Sequence, residues 1–165
     1  MAVEPPSRPV PSGDPQAWKR HVGGSLRSVV VGVDGSAASL HAVGLAGQIA
    51  GGAGAQLTVI HVRPEPPVFG GLTPGWCGLV EQWREDLEYE VGIRVTEILD
   101  PLGLRWRFRI ENGDPVHRID QLAAAVDADL IVVGSDGGGF LRALLGGSTA
   151  TRLVRRERRP VLVVR

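Results

Sequence analysis

Hydrophobic residues along this chain fall into runs of two kinds, short blocks and long periodic stretches. Ser28–Val33 and Asp129–Val133 are apolar on both faces, the pattern of strands covered on each side by helices. Gln56–Val62 reads as another strand, and Val161–Val164 is a short, wholly apolar one at the chain end. Leu104–Ile110 alternates strictly, with Leu104, Trp106, Phe108 and Ile110 turned inward and Arg105, Arg107 and Arg109 turned out. One wet face suits a strand at the edge of a sheet.

Helical spacing separates these blocks. Ala37–Ala50 puts Leu40, Val43, Ala46 and Ala50 on one side, capped by Ser36 and stopped by Gly51, Gly52 and Gly54. Leu79–Leu99 repeats Leu79, Trp83, Leu87, Val91 and Val95, opposite an acidic face of Glu81, Glu85, Asp86, Glu88 and Glu90. Asp114 and Pro115 open a helix that carries Val116, Ile119, Leu122 and Ala123 to Val126. Thr149–Val154 is a short helix whose end is rich in arginine, where cations offset the helix dipole.

Strands alternating with helices predict an α/β fold, an open doubly wound five-stranded parallel sheet with helices on both faces. The two most apolar strands belong at the centre and the arginine-lined third at the edge, which gives the order 3-2-1-4-5. The switch point then falls between the first and fourth strands, where ligands settle beyond the carboxyl ends. Asp34 and Gly134 both lie there.

Residues 1–24 carry Pro5, Pro6, Pro9, Pro11 and Pro15 with few apolar anchors, the composition of a disordered leader ahead of one domain over 25–165. Eighteen basic residues balance eighteen acidic ones, which argues against a nucleic-acid or membrane role driven by bulk charge. The aromatics of the third strand face away from its arginines, so they offer no stacking platform to RNA. No secretory signal is visible, and the single Cys77 suits a reducing cytoplasm. Residues 63–78 read as a Pro/Gly-rich loop, either a lid or a plain connection.

The candidate chemistry lies in Gly134–Ser148, where the spacing is Gly134-x2-Gly137-x9-Gly147-Ser148. Glycines between a strand and a helix let backbone N–H groups approach a phosphate. The pattern is neither the dinucleotide fingerprint nor the P-loop, and the only lysine is Lys19. A flexible turn is the plainer reading of the same glycines.

These residues resemble the universal stress protein family. The resemblance rests on Val31-Gly-Val-Asp-Gly-Ser36, Ile60-His-Val62, Asp129-Leu-Ile-Val-Val-Gly-Ser135, the glycine–serine spacing, and Arg159-Pro-Val-Leu-Val-Val-Arg165. It implies an ATP-binding domain that dimerises through its last strand and acts in the stress response. In the ATP-binding branch, Gly134, Gly137, Gly147 and Ser148 would hold the phosphates. Asp34, with Val33 before it, would lie by adenine and ribose; Val62 would line the adenine pocket, with Val133 and Thr149 beside it. Asp136 departs from the basic residue or histidine often found there, and it makes Mg²⁺ or Mn²⁺ dependence plausible. The four histidines show no metal-ligand spacing, and no nucleophile–base pair can be argued. The expected role is therefore that of a nucleotide-dependent sensor or regulator with an unknown protein partner. The alternatives are a slow ATPase and a nucleotide-free interaction module.

Overall fold

Each apolar block becomes a strand of a single parallel sheet. The computed structural model describes residues 25–63, 74–135, 149–156 and 159–165, with 74–85 described by their backbone. The expected leader and the segment from Asp136 to Ser148 lie outside these residues. The elements are β1 (Ser28–Val33), α1 (Ala37–Ala53), β2 (Gln56–Arg63), α2 (Pro74–Leu99), a 3-10 turn (Asp100–Leu102), β3 (Trp106–Asn112), α3 (Pro115–Ala125), β4 (Leu130–Gly134), α4 (Thr149–Arg156) and β5 (Val161–Val164). The strand order is β3-β2-β1-β4-β5, all parallel, as the alternation of the sequence predicts.

The side-chain period of two divides the core between the two faces of the sheet. Val29, Val31, Leu57, Val59 and Val132 pack under α1 and α2 with Val43, Val91, Val95 and Leu99. Val30, Ile60, Val62, Ile131 and Val133 pack under α3 and α4 with Val116, Ile119, Ala123 and Leu153. Leu104, Trp106 and Phe108 join the first face, so the arginines of β3 turn to the second.

Several boundaries differ from the expected ones for identifiable reasons. Helix α1 runs through Gly51 and Gly52, and it is Gly54, in the left-handed conformation at φ 67°, that ends it. Helix α2 begins at Pro74 rather than Leu79, because proline fits the first helical turn, where its missing N–H costs nothing. Ile110 is 42% exposed instead of facing inward; β3 is an edge strand, and Leu104, Trp106 and Phe108 take the packing positions beside the core. Glu88 is not part of a wet acidic face either. It is 8% exposed and paired with Arg63 at the end of β2, and a carboxylate leaves water only with such a partner.

The two central strands are tied together at their starts. The Asp129 carboxylate accepts hydrogen bonds from the backbone N–H groups of Arg27 and Ser28, at 2.8 and 3.0 Å.

Candidate functional site

The strands β1 and β4 part at their carboxyl ends, and the turn after β1 is built around Asp34. Gly35 takes φ +83°, a conformation L side chains rarely adopt. Asp34 Oδ1 accepts from the N–H and the hydroxyl of Ser36, at 3.0 and 2.6 Å. The Ser36 hydroxyl in turn accepts from the Ser39 N–H and caps α1. Ser39 completes the turn by donating to the Ser36 carbonyl and accepting from the Asp34 N–H. The carboxylate is therefore held in a fixed position by the helix it introduces.

Gly134 closes the other side. A Cβ there would lie 2.7 to 3.0 Å from the backbone of Ala38 and Ser39. Only glycine lets β4 pass this close to the first turn of α1. At the end of β1, the buried His61 uses Nδ1–H to donate to the Val33 carbonyl at 2.9 Å. Acceptance by a carbonyl fixes that tautomer.

Between these parts lies a cleft lined by Val33, Asp34, Ile60, Val62, Ile119 and Val133, with Gly134 and Thr149 at its edge. Val33, Asp34, Val62, Val133, Gly134 and Thr149, all expected site residues, thus share one cavity. Gly137, Gly147 and Ser148 lie outside the described residues. Sequence reasoning did not name Ile60 or Ile119. Ile60 sits two residues before Val62 on the same face of β2, and Ile119 belongs to the apolar stripe of α3, so the signal for both was present.

The described walls enclose only about 50 Å³, below the roughly 300–1,000 Å³ usual for small-molecule sites. Volume alone would favour a cavity of about 630 Å³ beside β5 or one of about 440 Å³ near the strand starts. The switch-point position and the fixed carboxylate favour the cleft.

Asp114 fastens the helix that forms one wall. It caps α3 by accepting from the His117 N–H at 3.0 Å, and its other oxygen pairs with Arg152 of α4 at 2.9 Å. Burial raises its carboxyl pKa, but the His117 amide and the Arg152 guanidinium outweigh this and hold it below the ordinary 3.8. Among the described residues, no group of three His, Cys, Asp or Glu side chains could hold a metal ion, and no helix is long and apolar enough to cross a membrane.

Residues 25–165 match the model of the universal stress protein family. A universal stress protein of Methanocaldococcus jannaschii is 30% identical over 139 residues, covering 84% of this chain and 82% of the relative. The crystal structure of a universal stress protein in complex with cAMP is similar at 31% identity and a TM-score of 0.60, over 86% of this chain and 98% of that one. The universal stress protein UspA from Lactobacillus plantarum shares the fold, with a TM-score of 0.70 at 23% identity over 86% and 99% of the two chains.

Proposed function

The chain belongs to the universal stress protein family, and on that footing we propose that it is an ATP-binding stress-response protein, a nucleotide-dependent sensor or regulator acting as a homodimer. The observation that carries this reading is the convergence of Asp34, Val62, Val133, Gly134 and Thr149, from separate segments of the chain, on one cleft at the switch point. Val62, Val133 and Ile60 offer apolar surface to a flat base, and the Asp34 carboxylate offers an acceptor to a ribose hydroxyl or an exocyclic amine. The relative solved with cAMP, at 31% identity, supports an adenine nucleotide as the ligand class. Phosphates would extend toward the segment that holds Gly137, Gly147 and Ser148. Asp34 is the one carboxylate among the described lining residues, an oxygen donor of the type that Mg²⁺ or Mn²⁺ takes.

Binding is favoured over turnover because the Asp34 carboxylate is committed through Oδ1 to the α1 cap. The dimer reading rests on β5, which ends the strand order and carries Val163 with 38% of its surface exposed. An apolar edge strand is stable in solution when a second copy covers it. Cytoplasmic residence is part of the same proposal.

Titration of the full chain with ATP and Mg²⁺ tests this function. Saturation below millimolar concentration is expected, with a rise in melting temperature. Asp34→Asn keeps an acceptor for Ser36 but loses the charge, so it should weaken binding about tenfold with little change in stability. Failure of ATP, ADP and cAMP to saturate at millimolar levels would overturn the proposal.

A further inference from the structure

The face of the sheet covered by α3 and α4 carries a second cavity, at the amino-terminal ends of the strands. It encloses about 440 Å³, and its lining includes Arg27, Thr58, Arg107, Arg109 and Asp127. Parallel register sets Arg107 beside Thr58 and Arg109 beside Ile60, so both arginines lie on the face to which Ile60 contributes. Residues two apart on a strand are separated by about 6.6 Å, which makes the two guanidinium groups adjacent prongs. Arg27, just before β1, reaches the same cavity from the other side of Thr58.

None of these three guanidinium groups has a hydrogen bond or ion pair among the described residues. Asp127 is the one carboxylate among the described lining residues. The chain as a whole carries no net charge, so this excess of positive charge is local. At the floor, Thr58 lines the cavity with a hydroxyl that makes no hydrogen bond among the described residues and is reachable by solvent. Edge-strand defence explains a row of charges on β3. It does not explain why Arg27, just before the central strand β1, lines the same cavity.

We propose that this groove binds a small anion bearing phosphate groups and more than one negative charge, such as a diphosphate moiety, independently of the cleft. Guanidinium forks hold phosphate oxygens through paired, charge-assisted hydrogen bonds, and the Thr58 hydroxyl supplies a further donor from below. The volume suits a small ligand. A single-stranded nucleic acid would call for stacking surfaces, and Trp106 and Phe108 pack into the core on the opposite face.

Calorimetric titration of the full chain with inorganic diphosphate, and in parallel with uridine diphosphate, tests the site. Saturable binding that weakens with salt is expected, reduced about tenfold or more in Arg107→Ala/Arg109→Ala and about threefold or more in Thr58→Val. The double variant should keep its melting temperature and its adenine-nucleotide affinity, which separates failure of the groove from failure of the cleft. Equal affinity for the two diphosphates would identify the free anion as the ligand; tighter uridine diphosphate would identify an organic phosphate. Diphosphate affinity unchanged in the double variant overturns the proposal, as does absence of saturation by about 10 mM. Binding of a hexaglutamate peptide without binding of diphosphate also overturns it, and would make the groove a docking face for acidic proteins.

Discussion

The cleft and the groove lie at opposite ends of one sheet face and share β2 as their floor. Gln56 and Thr58 line the groove, whereas Ile60 and Val62 line the cleft. Four alternate residues of one strand therefore pass from polar to apolar, and the cavity above each half takes the same character. At the apolar end the single fixed charge among the described lining residues is the Asp34 carboxylate. At the polar end three arginines dominate. The backbone is the same regular parallel ladder at both ends, so the difference in chemistry comes from the side-chain sequence alone.

The largest effect should come from breaking the cleft at its tightest contact. Gly134→Val drives a Cβ into the backbone of Ala38 and Ser39, and urea denaturation should report a loss of about 3 kcal/mol or more, with the groove variants unaffected. Exchanging character along β2 comes next. Ile60→Thr should cost about 2 kcal/mol, because it removes buried hydrocarbon and adds a hydroxyl among apolar neighbours. Thr58→Val should change stability by less than about 1 kcal/mol while it weakens anion binding, because the hydroxyl it removes is reachable by solvent.

Asp114→Ala should cost about 1 kcal/mol, chiefly through the lost cap on α3, with the solvent-screened pair to Arg152 adding little. Because the folded carboxyl titrates below 3.8, its contribution is fully present above that value. It is lost as pH falls through the lower, folded-state pKa, and acid-unfolding curves of wild type and variant should converge there. The smallest change is expected from Arg107→Ala, whose stability should stay within about 0.5 kcal/mol of wild type because the side chain is exposed.

Topology was legible in the sequence because burial writes itself into alternation. Val29–Val31 is apolar at successive positions and central, whereas Arg105, Arg107 and Arg109 could only lie on a wet face. The meeting of Asp34 with Gly134 followed from the strand order. What Gly134 does was less legible. Its sequence context suggests a phosphate loop, and the contact that demands glycine is with Ala38 and Ser39, nearly a hundred positions earlier. Glu88 looked solvated for a similar reason, since its partner Arg63 lies 25 positions upstream on another element. The groove was hidden because alternation tells which way Arg107 and Arg109 point but not that Arg27 and Thr58 meet them.

The Asp129 carboxylate bonds to amides 101 and 102 positions away, and the pairing of β1 with β4 that it begins is equally remote along the chain. Closing so long a segment costs entropy before any contact repays it, so a sheet seamed this way is expected to assemble slowly. The cleft opens on that seam. A nascent chain that has not yet emitted β4 cannot possess it, so the cleft forms only after residues 130–134 have left the ribosome.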